Sequence, residues 1–312
     1  MNRLLYILLV LLLFVSCRED NEQTIPEGFQ PEVMLGMTPV KDQGNSDLCW
    51  VFAMLATIES EHIGRGDSVN LSTDFVARMW IAEQALQRYR SAGEKEISMR
   101  GMSPMTLTLL RRYGAMPFDS YYSREPVNYR VLVRRVEQTV DMALLRHKSE
   151  EQCRKEVDEL LDENIGFMPR LVFMYGCQYT FLEFAHSVYE KGEYQSLTNL
   201  KDYPYGEEIE LPFADNHYHC KALNVPSDSL IVRIEQSLAD GHPVMWEGGD
   251  NDDHAACVIG MGRDRCGNEY FVAKNSWGSD NETQGMLYLS KQYVASHTAV
   301  VVMKDRFGFI RY

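Results

Sequence analysis

Cys49 and His254 stand 205 residues apart in a chain of 312, so any fold in which one acts on the other must bring distant segments together. Each lies where such chemistry would be served. Asn45, Ser46 and Asp47 are capping residues, and Val51, Phe52, Leu55, Ile58 and Ile63 recur at helical spacing until Gly64 and Gly66. The pattern predicts a helix that begins at Cys49, where unpaired amides and the helix dipole favour an anion. A thiol at its ordinary pKa is only a few per cent ionised at neutral pH, so it also needs a base. His254 begins an apolar stretch to Gly262 that reads as a strand. Arg265-Cys266-Gly267-Asn268 turns it back through Glu269 to Lys274. The hairpin returns Asn275 beside His254, where its side-chain oxygen can hold the ring.

Gln43, Cys49-Trp50, His254-Ala255 and Lys274-Asn275-Ser276-Trp277-Gly278, in that order, resemble the papain-like cysteine peptidases, and within them the bleomycin hydrolase and aminopeptidase C branch. The resemblance covers about Pro31 to Asp305. It implies an α+β, papain-like two-lobe fold, with a helical lobe carrying Cys49, a β-rich lobe carrying His254 and Asn275, and the cleft between them. It also implies peptide-bond hydrolysis through a Cys49 thioester, with His254 as general base and acid and Asn275 orienting it. Gln43 and the Cys49 amide would form the oxyanion hole, and Trp277 would shield the His254–Asn275 bond. Peptides are the implied partners, and no cofactor or metal is called for. His217-Tyr218-His219-Cys220 has metal-ligand residue types but no fourth ligand nearby.

Two departures stand out. Ser46-Asp47-Leu48 replaces the Cys-Gly-Ser/Ala of the papain signature, so Asp47 occupies a glycine position beside the nucleophile. The 205-residue separation also exceeds the roughly 130–150 of papain-type enzymes. Residues 127–192 account for the excess as an insertion without strand alternation. Val131, Val133, Val136, Val140, Leu144 and Leu145 recur at helical spacing, and further helices are expected near Glu150 to Glu163 and from Thr180 to Gly192. Elsewhere, Ser72 caps a helix from Thr73 to Arg90, Ser103-Pro104 starts one that stops at Gly114, and Asn224 to Asp228 caps one that ends at Gly241. Val244 to Trp246, Gly285 to Leu289 and Thr298 to Met303 read as strands. The peptidase domain is expected over 31–312, mainly helical over 31–200 and β-rich over 201–312, with loops near 202–216.

The N-terminus reads as an address. Met1-Asn2-Arg3 is basic, Leu4 to Val15 is apolar, and Ser16-Cys17 follows. The run falls short of the about 20 residues that span a bilayer and fits a signal peptide over residues 1–16. Its ending resembles a bacterial lipobox, which implies acylation of Cys17, an acidic tether over 17–30, and a cell-envelope lipoprotein on the periplasmic or cell-surface face. With 31 basic and 45 acidic residues the net charge is −14, which argues against nucleic acid as a partner. Oligomeric state is left open, a homo-oligomer included. Besides Cys17 and Cys49 there are Cys153, Cys177, Cys220, Cys257 and Cys266, an odd number that cannot pair completely.

An aminopeptidase must hold a free amine. In the resembled branch the chain's own C-terminal carboxylate does so from within the cleft. Here nine residues, Lys304 to Tyr312, follow the last expected strand, and they span at most about 30 Å. They include Arg306 and Arg311, which repel an ammonium group. Asp250, Asp252 and Asp253, just before His254, are the alternative amine ligands. Aminopeptidase action is the favoured expectation. An endopeptidase of the same fold is the alternative, and an inactive peptide-binding relative a third reading.

Overall fold

The computed structural model of the protein describes residues 24–174, 176–249 and 254–305. Helices dominate the N-terminal half, where the apolar periods are helical. Helix α1 (Cys49–Gly64) is almost wholly buried and starts at the candidate nucleophile. The capping expected of Asn45 to Asp47 is not made. Leu48 takes the N-cap position without a side-chain bond, and Ser46 Oγ instead donates to the Gln43 carbonyl at 2.7 Å. The turn before the helix is thus used to shape the Gln43 segment. Helix α2 (Thr73–Arg90) is capped by Ser72, whose hydroxyl accepts from the Phe75 amide, and α3 (Ser103–Tyr113) ends at Gly114.

Helices α4 (Tyr129–Leu145) and α5 (Glu150–Asn164) pack on each other and on α2. Both start at side-chain caps, Asn128 and Ser149. Two features differ from expectation here. A hairpin of β2 (Val172–Met174) and β3 (Cys177–Tyr179) forms where no strand was expected, and the following helix α6 (Phe181–Val188) stops short of Gly192. Three-residue strands are too short to show alternation.

The second half is built on one twisted sheet. Its strands are β4 (Tyr194–Thr198), β5 (Glu208–Glu210), β6 (Lys221–Asn224), β7 (Val244–Gly248), β8 (Ala255–Arg263), β9 (Glu269–Lys274), β10 (Met286–Ser290) and β11 (Thr298–Lys304). They lie in the order β10-β9-β8-β7-β11-β4-β6-β5, antiparallel except for β4 against β6. β4, β5, β6 and helix α8 (Lys291–His297) were not expected. All four are short, and the three strands take their pairing from the rest of the sheet. Strand β1 (Gln30–Met34) joins the far end of β8, antiparallel, with Gln30 opposite Arg263. There the two backbones nearly touch: a Cβ on Gly262 would meet the Gln30 carbonyl at 2.3 Å. Phe29 already packs edge-on against Tyr288 at 5.0 Å, so the end of the segment read as a tether belongs to the sheet.

The sheet separates two cores. Val244, Trp246, Val301 and Leu289 face α7 (Ser227–Ala239) and α8, whereas Met245, Ala255, Val300 and Val302 join the helical core that contains α1. Adjacent strand residues point to opposite faces, so Glu247 shares the face of Met245, toward α1. Trp50 and Trp80 meet edge to face at 6.2 Å inside that core. Their indole N–H groups donate to Met99 O and Ser98 O, which fixes the 98–101 segment against α1.

Candidate active site

Gln43, Cys49, His254 and Trp277 line one cavity of about 170 Å³ between the lobes, together with Ser46, Asp47, Trp50, Arg100, Gly101, Asp215, Glu247 and Gly248. Four segments build it. The first turn of α1 supplies Cys49, the loop before α1 supplies Gln43, the start of β8 supplies His254, and the end of β9 leads into Asn275 and Trp277. β8 and β9 pair with Cys257 opposite Lys274, which sets Asn275 beside His254.

Asn275 Oδ1 accepts the backbone N–H of Ser276 at 2.7 Å and lies 2.8 Å from His254 Nε2. An oxygen in that position can only accept, so Nε2 carries the donor proton and Nδ1 is the nitrogen that can exchange a proton with a thiol. The Trp277 ring lies over the imidazole, with centroids 4.5 Å apart and planes inclined by 31°. It covers the ring from solvent, although it is itself exposed.

Gln43 is held at both ends of its amide. Its Oε1 accepts from Ser276 Oγ at 2.6 Å, and its Nε2 donates to Ser46 O at 2.7 Å, which leaves the second amide proton for a ligand. Its backbone N–H donates to Ser276 O, and Asp42 bridges to Trp277, so the Gln43 and Asn275 segments are stitched together. Beneath them Glu59, fully buried on α1, accepts from Lys41 Nζ and the Leu71 amide, each at 2.7 Å, and from Thr38 Oγ1. Thr38 in turn accepts from Lys274 Nζ at 2.7 Å. Burial draws the Lys274 ammonium below its usual range, with Glu59 opposing.

The thiol departs from expectation. Burial pushes Cys49 up to about 12, the Glu247 and Asp47 carboxylates add to the shift, and the Ala255 and Trp50 amides oppose it. The helix N-terminus therefore does not make a thiolate by itself, because burial of the sulfur, with carboxylates facing it from both lobes, outweighs it. Asp47, at the glycine position, carries no left-handed backbone strain: among the described non-glycine residues positive φ occurs only at Ala92, His147, His219 and Gln284. Its carboxylate makes an exposed pair with Arg130 at 3.5 Å.

Glu247 was missed from the sequence. Its signal was a charge within Val-Met-Trp-Glu-Gly, a strand buried at every position. Burial, with Asp215 adding, pushes its carboxyl up to about 7 against the Ser103 amide, which donates to Oε2 at 2.8 Å. Asp250, Asp252 and Asp253 lie outside the described residues, as do Cys17 and the 306–312 ending. His217 and Cys220 do not converge on an ion: His217 stacks by Trp80, His219 pairs with Glu210, and among the described residues no group of three ligand types forms.

Residues 237–303 match the papain family cysteine protease profile. The sequence matches none of the curated proteins compared with it. Among solved structures, PepW from Lactobacillus rhamnosis HN001 (DR20) aligns with a TM-score of 0.68 at 16% identity, over 88% of this chain and 82% of that one. Digestive procathepsin L 3 of Tenebrio molitor larval midgut aligns over 91% of this chain and 74% of its own, at 17% identity and a TM-score of 0.44. The bromelain protease from Ananas comosus in complex with the E64 inhibitor aligns over 85% and 92%, at 14% identity and a TM-score of 0.39. With residues 237–303 similar to that profile and the two lobes arranged around the cavity, this chain has a papain-like α+β fold.

Proposed function

We propose that this protein is an aminopeptidase of the bleomycin hydrolase and aminopeptidase C type that cleaves peptide bonds through a Cys49 thioester. The observation that carries the chemistry is the His254–Asn275 bond, which turns Nδ1 into the proton-exchanging nitrogen in a cavity shared with Cys49 and Gln43. Burial raises the thiol above its usual range, so proton transfer to His254 accompanies attack. His254 Nδ1 takes the Sγ proton as sulfur bonds to the carbonyl carbon, and the oxyanion is met by the Cys49 N–H and the second Gln43 amide proton. His254 then gives that proton to the departing amine as the C–N bond breaks. Water, deprotonated by His254, splits the thioester and returns the thiol.

The exopeptidase assignment is supported by the small cavity and by Glu247 on its wall, which has no basic partner among the described residues. Matched peptides with free and N-acetylated termini test it. Acetylation is expected to lower kcat/KM about ten- to hundredfold, the value of one charge-assisted contact. Equal cleavage of both at internal bonds would instead identify an endopeptidase.

The N-terminal sequence supports a lipoprotein reading of the same enzyme. The apolar Leu4 to Val15 run followed by Ser16-Cys17 is the form in which Cys17 would be acylated after cleavage, anchoring the enzyme in the cell envelope.

A further inference from the structure

A carboxylate with no basic partner among the described residues stands one rung of the sheet from the candidate base. Glu247 pairs with Ala255 across β7 and β8, and the next residue, Gly248, donates its N–H to the His254 carbonyl at 2.9 Å. Cα atoms of residues paired in this way lie about 4.5–5.5 Å apart, so Glu247 and His254 belong to the same few ångströms of wall. The Glu247 side chain is 9% exposed and borders the Cys49 cavity. Oε2 is occupied by the Ser103 amide at the N-terminus of α3. The helix terminus stabilises a negative charge there. Among the described residues no basic side chain pairs with it. The other two acids of the cavity are already compensated: Asp215 faces Arg100 at 3.9 Å and Asp47 faces Arg130 at 3.5 Å.

A buried charge is normally paired, and one left open at the wall of a binding cavity is costly unless a ligand completes it. The cavity holds about 170 Å³ and contains the thiol, so a group that reaches Glu247 lies within one residue of the bond to be cut. In a peptide the cation at that distance is the α-ammonium of the N-terminal residue, two bonds from the scissile carbonyl carbon. A lysine or arginine side chain carries its charge several bonds farther out. Gly101 narrows the opposite wall, because a Cβ there would meet the Trp50 ring at 2.9 Å.

We propose that Glu247 is the amine anchor of this enzyme, a specificity-determining carboxylate that binds the free α-ammonium of a peptide's first residue. The inference rests on the aminopeptidase reading and names the group that enforces it. It also joins binding to activation. An ammonium on Glu247 neutralises the largest charge that holds the Cys49 thiol protonated, so a correctly bound substrate favours its own nucleophile.

The test compares kcat/KM for peptides with free and N-acetylated termini, and for acetylated peptides with and without lysine as first residue, in the full-length enzyme and its Glu247→Gln variant. The expected result is a free-amine preference of about ten- to hundredfold in the wild type that falls to near unity in Glu247→Gln. Glu247→Asp, which keeps the charge on a shorter stem, should retain part of the preference, and it carries the test if the glutamine variant melts early. A wild-type preference that survives in Glu247→Gln overturns the anchor but leaves the aminopeptidase standing. A preference for acetylated lysine peptides that disappears in Glu247→Gln overturns it in favour of a side-chain site. Equal cleavage of free and acetylated peptides by the wild type defeats both readings.

Discussion

Glu59 Oε1 meets Lys41 Nζ at 2.7 Å beneath the nucleophile helix, and that pair joins two otherwise separate parts of the site. Lys41 lies two residues before Gln43, and Lys274, which reaches the same carboxylate through Thr38, immediately precedes Asn275. One buried acid on α1 thereby sets the Gln43 segment and the Asn275 segment against the helix that carries Cys49. Glu59→Gln leaves two ammonium groups with less compensation and is expected to cost about 3–5 kcal/mol of unfolding free energy, read by urea denaturation. A loss below about 1 kcal/mol would show that solvent or relaxation replaces the network.

Within the cavity the expected effects are graded by role. Cys49→Ser should abolish hydrolysis and labelling by an epoxide thiol inhibitor while the protein stays folded, because sulfur is the attacking atom. His254→Ala should be nearly as damaging. Asn275→Ala should retain more activity, since it holds the ring without transferring a proton. Equal inhibitor labelling of Cys49→Ser would place the reactive thiol elsewhere.

Gln43→Ala is expected to lower kcat by about 10²–10³, the usual effect of losing one oxyanion donor. Ser276→Ala, which removes only the hydroxyl holding Gln43 Oε1, should lower it less and leave the unfolding midpoint nearly unchanged. Comparable losses from both would mean that the Gln43 orientation matters as much as its proton.

Glu247 gives two signed pH effects. Its carboxyl is raised from 4.5 to about 7 on folding, so the stability it contributes is complete below pH 4.5 and lost as pH rises through 7. By linkage the loss approaches about 3 kcal/mol, and Glu247→Gln should therefore gain stability relative to wild type above pH 7 but not below pH 4.5. Asp215, Asp47, Arg100, Cys49 and His254 are the titratable and charged groups that share the cavity with it. The second effect concerns the thiol: without the Glu247 charge, alkylation of Cys49 by iodoacetamide at pH 8 should be faster. Slower alkylation would contradict the coupling of the two groups.

Cells fed a labelled fatty acid should incorporate it into this protein, and Cys17→Ser should prevent that. Label that persists in the variant would remove the lipoprotein reading.

Local pattern was enough for the long elements. Ser72 and Thr73 to Arg90, Ser103-Pro104 to Gly114, and the β8–β9 hairpin are written in caps, breakers and periods that act over a few residues, and the structure has them nearly at the expected bounds. The placing of Asn275 beside His254 was likewise legible, because the hairpin that brings them together is local. Burial and cross-sheet neighbours were not. Short strands such as β5 and β6 exist only because the sheet supplies their partners. The raised Cys49 thiol and the surroundings of Glu247 depend on burial and on which charges the fold leaves facing each other. Those are distances between segments far apart in the chain, and only the tertiary structure decides them.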